Sequence, residues 1–184
     1  MRACTAVVTE ISYNTETDGP YRAKIEFISE ADWLKELQVL YQDLMDEYGE
    51  IKNVSRDQDA SVAWAKIKAI YPRKTKENIV NSTPEQLVRD GSVQGVLGKT
   101  KVVEETHPLR FYKQLQRYVD SQEKKQKDDR SPKQMEFWPL IRVVRIFVKS
   151  PVLETGATIV DLPGVHDANS ARFLFLLDVL KGIC

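Results

Sequence analysis

The stretch ATIVDLPGVHD, residues 157–167, decides how the rest of the chain is interpreted. A run of small and β-branched residues leads into Asp161, and Leu162, Pro163 and Gly164 follow at once. β-Branched residues favour a strand and a Pro-Gly pair ends one, so the pattern predicts a strand that stops on an acidic residue. Two interpretations follow: Asp161 closes an ordinary turn, or it lies at a nucleotide site beyond the carboxyl end of a sheet strand.

Three further strands are predicted on either side of a helical middle. Residues 4–14 are rich in Val, Ile and Thr, and residues 21–29 alternate apolar with charged side chains, as a half-buried strand does. The turn cluster TETDGP between them predicts that these two strands form a hairpin. Residues 137–150 regain strand character before the apolar run 155–164.

Four helices are predicted between these strands. Apolar residues recur at helical spacing in residues 29–48, 57–72 and 107–122, and residues 82–91 form a shorter segment with helix boundary signals. The first helix is predicted to be capped by Ser29 with Asp32, and Pro72 is predicted to stop the second. In the short segment, Ser82 or Thr83 is the predicted cap before Pro84, and Gly91 is the predicted end. The apolar stripe predicted for the last helix consists of Leu109, Tyr112, Leu115 and Tyr118 or Val119. Strands at both ends with helices between them predict an α/β fold.

Composition excludes several functional classes. The chain has 184 residues, 42% hydrophobic content and a formal net charge of zero, which fits one globular domain and predicts neither a nucleic-acid nor a membrane-surface partner. It contains no apolar run near the length of a membrane span and no signal-peptide core at its start. Cys4 and Cys184 lie at opposite ends, and His107 and His166 have no cysteine nearby. We therefore expect no transmembrane segment, disulfide framework or zinc site, and an intracellular location, cytoplasmic or nuclear.

Asp161 and Gly164 have the D-x-x-G spacing of a nucleotide site. A carboxylate at a strand end is a hard oxygen ligand that can hold a water of Mg²⁺. A glycine three residues later lets a backbone N–H approach a γ-phosphate without obstruction by a Cβ. The same two residues also suit a simple turn, so the surroundings must decide between the interpretations.

The surroundings are similar to a known family. The segment GATIVDLPGVHDANSAR, residues 156–172, resembles the third GTPase motif of dynamin-like large GTPases, with the pattern of the fungal type related to nuclear dynamin-type GTPases. Residues 138–153 fit the strand before that motif, and MRACTAVVTEISY, residues 1–13, resembles the second motif, switch I. Between them, YRAKIEFIS, DWLKEL and SVQGVLGKT fit the family's long insertion between the two switches.

The resemblance implies a fold and a division of the chain. We expect an α/β fold with an incomplete P-loop GTPase-type sheet and a helical insertion between switch I and the D-L-P-G motif. Residues 1–172 would then be a partial dynamin-type G domain, an internal fragment that runs from switch I to the third GTPase motif. Residues 173–184 would form a divergent apolar tail.

The resemblance also assigns site residues. Thr5 matches the switch I threonine whose hydroxyl binds Mg²⁺, with Thr9 as the weaker candidate. Asp161 matches the acid that holds a Mg²⁺ water, and Gly164 matches the backbone contact to the γ-phosphate. These matches imply GTP and Mg²⁺ as cofactors and a guanine nucleotide as the partner. Without the family, Thr5 is simply a threonine at the entry to a strand.

No catalytic residue is assigned. Val165 stands where small GTPases place a glutamine that orients the attacking water, and an apolar side chain cannot do so. His166 and Asp167 either act as acid and base or complete a turn. Any GTP hydrolysis would therefore need another group.

The phosphate-binding loop is not found in this sequence. The P-loop pattern G-x-x-x-x-G-K-[ST] is matched only in part by GSVQGVLGKT, residues 91–100, because Val93 occupies the position of the first glycine. Lys99 is therefore interpreted as a loop lysine. The guanine-reading N/T-K-x-D motif is absent too, so we expect weak or no GTP binding by this chain alone. The alternatives are a non-catalytic interaction module that retains a G-domain scaffold, and an unrelated α/β binding domain in which D-L-P-G is only a turn.

The last twelve residues depart from the family. A matching protein would continue with a polar-faced helix, whereas residues 173–184 are almost entirely apolar around Asp178 and Lys181. An exposed apolar segment of this kind favours association. The sequence therefore predicts either self-association through residues 173–184 or a segment that folds back over the sheet.

Overall fold

The computed structural model describes residues 7–16, 19–119 and 134–162. The strands are β1 (Thr9–Tyr13), β2 (Tyr21–Phe27), β3 (Thr100–Glu105), β4 (Ile141–Val148) and β5 (Ile159–Asp161). The helices are α1 (Glu30–Leu44), α2 (Gln58–Ile70), α3 (Lys76–Val80), α4 (Pro84–Val88), α5 (Gly91–Gln94) and α6 (Pro108–Val119), with short 3₁₀ turns at Trp138–Leu140 and Pro151–Leu153.

The elements belong to two compact units. The sheet unit comprises the described parts of Met1–Phe27, Thr100–Lys127 and Ile141–Cys184, and it contains all five strands and α6. The helical unit comprises the described parts of Ile28–Lys99 and Asp128–Leu140, and it contains α1 to α5.

The sheet is mixed and five-stranded, and the order of its described strands is β3-β2-β4-β1-β5. β1 runs parallel to β4, whereas β2 runs antiparallel to β3 and β4, and β5 runs antiparallel to β1. The expected combination of helices with a sheet is confirmed. The run 137–150 forms β4, and the run before the D-L-P-G motif forms β5.

The hairpin predicted for β1 and β2 is wrong, because β4 lies between these two strands. The turn cluster does reverse the chain, but the connection also crosses the width of one strand. Asn14 holds this connection, since its backbone N–H donates to the Val148 carbonyl (2.9 Å) and its side-chain amide donates to the Gly19 carbonyl (3.0 Å). Gly19 has a φ of 69°, which glycine adopts without strain. A turn signal therefore specifies a reversal of direction and leaves the neighbouring strand undetermined.

The strand β3 lies between two of the predicted helices, where no strand is predicted. Its sequence TKVVEE carries three charged residues, and Val103 is its one buried side chain. β3 lies at the edge of the described sheet and pairs with β2 over six residues. An edge strand keeps most of its side chains in water, so the apolar alternation that identifies a strand is weak here.

α6 covers the apolar side chains of β2 at one face of the sheet. Phe111 stacks on Tyr21 with ring centroids 5.7 Å apart, and Tyr118 meets Phe27 edge-on at 6.4 Å. The prediction that Leu109 belongs to the buried stripe is wrong, since this side chain is 62% exposed. The stripe is phased on Phe111 instead, because that ring is the one that fits against β2.

The helical unit is built around α1 and α2. Apolar side chains from one face of each helix are buried, and burial of each leucine or isoleucine among them stabilises the fold by roughly 1.5–3 kcal/mol. The buried residues of the two helices are Trp33, Leu37, Leu40, Leu44, Ala60, Ala63, Ile67 and Ile70. The periodicity predicted for residues 29–48 and 57–72 is therefore confirmed.

The predicted helix caps are present, but one predicted helix end is wrong. The side chains of Ser29 and Thr83 each accept a hydrogen bond from the backbone N–H three residues on. Gly91 does not end a helix: α4 already ends at Val88, and Gly91 begins α5. Asp90 caps α5 with its carboxylate, so the Asp-Gly pair starts a turn of helix rather than stopping one.

Candidate functional site

Asp161 is the last residue of β5, the strand that leads into the D-L-P-G motif. β5 is three residues long and lies at one edge of the described sheet. It pairs with β1 in antiparallel fashion, so that Asp161 lies directly opposite Thr9. Because opposite residues of antiparallel strands point to the same face, the side chains of Asp161 and Thr9 are neighbours.

Ser12 and Thr158 hold the same register on the other face of this strand pair. The Oγ of Ser12 lies 3.1 Å from the Oγ1 of Thr158, which is hydrogen-bonding distance. A slip of one residue would break this contact and would turn Asp161 to the opposite face of the sheet. The register therefore fixes the face on which the Asp161 carboxylate lies.

Thr9 contributes a buried hydroxyl group beside this carboxylate. Its side chain is 6% exposed, and its Oγ1 donates to the Val7 carbonyl over 3.4 Å, near the upper limit for a hydrogen bond. A hydroxyl that donates its proton keeps its lone pairs, so the oxygen can still bind a hard cation. One carboxylate and one hydroxyl are too few ligands for Mg²⁺, which takes six and usually keeps several waters or phosphate oxygens.

Two assigned site residues, Thr5 and Gly164, lie outside the described residues. Val165, His166 and Asp167, the other residues considered for catalysis, lie outside them as well. The proximity of Thr5 to Asp161 therefore stays a prediction. The described strands do bring the beginning of β1 and the end of β5 to the same end of the strand pair.

The position of β5 bears on the alternative in which D-L-P-G is only a turn. That alternative expects an edge strand whose Asp161 points away from Thr5. The first condition is met, because β5 is an edge strand among the described strands. The second condition stays untested, because Thr5 lies outside the described residues. The shared face of Thr9 and Asp161 is the feature that favours a common site.

Lys99 lies in a loop, as predicted. Gly98 before it has a φ of 69°, and the Lys99 ammonium donates to the Gly95 carbonyl at 2.7 Å. This loop leads from α5 into β3, whereas a P-loop leads from a strand into a helix. The order of the elements therefore excludes a P-loop at this position.

Neither a preformed metal cluster nor a membrane span is found in the described residues. Within residues 7–16, 19–119 and 134–162, no three His, Cys, Asp or Glu side chains are grouped so that they could hold a metal ion. Over the same ranges, no helix has the length and apolar character needed to cross a membrane.

Comparison with known proteins relates the chain to GTPases. No family model matches it. It is similar to Nuclear GTPase SLIP-GC of Homo sapiens, with 28% identity over 180 residues, and to Nuclear GTPase SLIP-GC of Mus musculus, with 26% identity over 178 residues. Each alignment covers 92% of this chain and 21% of the relative, so the chain spans about a fifth of the length of the curated relatives it matches. A similarity at this level supports a GTPase-related chain and does not define the type of GTPase.

Proposed function

We propose that residues 1–172 are part of the G domain of a dynamin-type GTPase and contribute to a site for the phosphate end of GTP with Mg²⁺. Asp161 holds a water of the Mg²⁺ ion, Thr5 supplies a hydroxyl ligand, and the backbone of Gly164 contacts the γ-phosphate. The similarity to a nuclear GTPase over most of the chain supports this assignment.

The pairing of β1 with β5 is the observation that carries the proposal. Because the two strands are antiparallel and Thr9 lies opposite Asp161, the chain enters β1 at the end where it leaves β5. This shared end of the described strand pair supports the proposal that Thr5, before β1, and Gly164, after β5, contribute to one site. A ligand bound there can meet a hydroxyl from one strand entry and a carboxylate from the neighbouring strand exit.

The same chemistry predicts that this chain by itself is a poor GTPase. Phosphoryl transfer depends almost entirely on positioning and on electrostatic stabilisation of the phosphates. The P-loop lysine and the base-reading motif are not found in these 184 residues, so the main phosphate cradle and the guanine contacts are missing from them. The proposal therefore requires a P-loop elsewhere in the full-length gene product.

Titration of the chain with a fluorescent GTP analogue and Mg²⁺ tests the proposal. We expect a dissociation constant weaker than about 1 µM, which corresponds to about −8 kcal/mol. The residual affinity should depend on Mg²⁺ and fall in Asp161→Asn, which keeps the shape of the side chain and removes its charge. Asp59→Asn, on the exposed first turn of α2, is the matched control and should bind like the unmodified chain.

Two results would contradict the proposal. Submicromolar binding that Asp161→Asn leaves unchanged would place the nucleotide at another site. A full-length gene product without an in-frame P-loop would remove the basis for assigning Asp161 and Gly164 to GTP.

A further inference from the structure

A basic segment of the helical unit has no part in the proposed nucleotide site. Residues 60–76 contain five cationic side chains and no acidic one, although the whole chain has a formal net charge of zero. The five are Lys66, Lys68, Arg73, Lys74 and Lys76. The net charge of the whole chain does not show this local excess of positive charge, which becomes visible when residues 60–76 are counted separately. We call Trp64, Lys68, Lys76 and the intervening Arg73 the Trp64 cluster.

Two ammonium groups lie over the ring of Trp64, which is partly exposed. The Nζ of Lys68 is 5.7 Å from the ring centroid, and the Nζ of Lys76 is 5.8 Å from it. Lys68 also donates to the Lys74 carbonyl at 2.6 Å, which ties the end of α2 to the turn that follows. Like charges gathered around one ring repel each other, so a bound anion would lower the energy of this arrangement.

Carboxylates neutralise only part of the basic segment. Lys66 forms an ion pair with Glu36 at 2.6 Å, and Lys74 forms one with Asp90 at 3.2 Å. Arg73 and Lys76 are both exposed, and across the described ranges neither lies within ion-pair distance of a carboxylate, although Lys76 interacts electrostatically with Glu77 beside it. These two cations are therefore accessible to an anionic partner.

The ends of the helices explain some of these cations but not all. Lys68 lies in the last turn of α2, where a positive charge interacts favourably with the unpaired carbonyl groups. Lys76 is the first residue of α3, an end at which helices favour acidic residues. Arg73 lies in the turn between these helices. A structural role in capping therefore does not account for Arg73 or Lys76.

We propose that the Trp64 cluster binds a single strand of nucleic acid. A base stacks on the indole of Trp64 in place of an ammonium group that lies over the ring in this structure, and backbone phosphates interact with Lys68, Arg73 and Lys76. An aromatic side chain with cations around it fits this ligand because every base offers a face for stacking and every nucleotide a phosphate. An acidic peptide or an anionic membrane would also provide negative charge, but neither has regularly spaced bases that could stack on Trp64.

Fluorescence anisotropy of a labelled oligothymidylate with the full chain tests the charge contribution. An oligonucleotide of about 15 nucleotides, near the upper end of single-strand site sizes, should bind at low salt. Each phosphate contact contributes roughly 0.7 to the slope of log affinity against log salt, so Arg73→Gln with Lys76→Gln should reduce that slope by about 1.4. Arg110→Gln with Lys113→Gln, two exposed cations on α6, is the matched control and should leave the slope unchanged.

Substitution of Trp64 tests the stacking contribution. Trp64→Leu should weaken oligonucleotide binding at least about fivefold, the lower end of what stacking one base on an aromatic ring contributes. It should leave the binding of inorganic polyphosphate, which has no bases, unchanged. If leucine disturbs the fold, Trp64→Phe gives a second measurement. A base stacked on Trp64 should quench the fluorescence of that tryptophan, so the quenching caused by the oligonucleotide should be lost in Trp64→Phe.

Several outcomes would overturn the proposal. It fails if the oligonucleotide does not bind at low salt, or if the Arg73 and Lys76 double variant binds it like the control variant. Equal weakening of oligonucleotide and polyphosphate binding by Trp64→Leu would show a site for anions without base stacking. Tighter binding of polyglutamate or of vesicles of anionic lipid would indicate an acidic protein or a membrane instead.

Discussion

Tyr41 and Tyr71 join the elements of the helical unit through their hydroxyl groups. The Tyr71 hydroxyl accepts a hydrogen bond from the Trp33 indole (3.1 Å) and donates one to the Leu87 carbonyl (2.8 Å). The Tyr41 hydroxyl lies 2.8 and 3.0 Å from two carbonyls of the chain around the connection from α3 to α4. Burial raises the pKa of Tyr41 to about 12 and also raises the pKa of Tyr71. Both hydroxyl groups are therefore held in their protonated, donating form.

Replacing Tyr41 by phenylalanine should lower the free energy of unfolding by about 1–2 kcal/mol, because two partly buried carbonyls lose their shared donor. Tyr48→Phe is the matched control, since the Tyr48 side chain is 83% exposed and its loss of a hydroxyl should have almost no effect. Urea unfolding of the three proteins measures the difference. Equal stability of the two variants would show that the Tyr41 hydroxyl does not stabilise the fold.

The raised pKa of Tyr41 also predicts how stability depends on pH. The unfolded chain releases the Tyr41 proton near the ordinary pKa of 10.0, whereas the folded chain keeps it until about pH 12. The contribution of Tyr41 is thus fully present below pH 10 and is lost as the pH rises towards 12. Melting temperatures measured from about pH 9 to about pH 11 should fall, and they should fall less steeply in Tyr41→Phe. A Tyr41→Phe profile as steep as that of the unmodified chain would contradict this assignment.

The site residues differ in how much the sequence reveals about them. Asp161 at the end of a strand is predicted correctly, because a β-branched run before an Asp-Leu-Pro-Gly turn is a local signal. The neighbour of Asp161 in the sheet is not a local property. Thr9, the weaker of the two threonine candidates, is the one that the strand register places opposite it among the described residues. No pattern within either segment specifies that register.

Pairing of β1 with β5 joins segments almost 150 residues apart in the chain. At the scale of whole elements, the sequence likewise predicts local features and does not predict which distant strands become neighbours. Helices α1, α2 and α6 are predicted because their apolar periodicity is internal to each helix. The neighbours of the strands are decided by distant segments, so the hairpin of β1 with β2 is predicted wrongly and β3 is missed. The structure supplies the strand order, on which the proposed site depends.

A disulfide across β1 and β5 tests this register. Cysteines at Ser12 and Thr158, whose hydroxyl oxygens are 3.1 Å apart, should form a disulfide on mild oxidation when Cys4 and Cys184 are replaced by serine. Non-reducing electrophoresis and a count of free thiols measure the reaction. The control pairs Ser12→Cys with Ile159→Cys, which lies on the other face and should stay reduced. Faster oxidation of the control pair would mean that the strands pair in a different register.

The sheet as a whole has one apolar and one charged face. On the charged face Arg145 pairs with Glu10 (2.7 Å) and with Glu26, and Lys24 lies over the ring of Phe147 at 5.6 Å. A fully parallel sheet that is covered by helices on both faces has strands that are apolar throughout. The alternation in β2 instead fits a strand with one face in the core and one near water. Residues 173–184, the predicted apolar tail, lie outside the described residues, so their position remains a prediction.

Deleting the chain after Arg172 tests the predicted tail. Residues 173–180 carry seven large apolar side chains, and an exposed segment of this composition should drive self-association. The shortened chain should therefore show a larger monomer fraction than the full chain in size-exclusion chromatography at the same concentration. A monomeric full chain that loses stability on deletion would show that the segment packs into the core instead.

The central position of β4 matters while the protein is being made. Among the described strands β1 pairs with β4 and β5, and both begin beyond residue 140. At ordinary rates of translation, these partners leave the ribosome on the order of ten seconds after β1. α1 to α5 are complete before that time, and their contacts with each other are local. In that interval the nascent chain carries α1 to α5 while β1 lacks both of these neighbours, and a strand with unpaired edges is open to pairing with another chain.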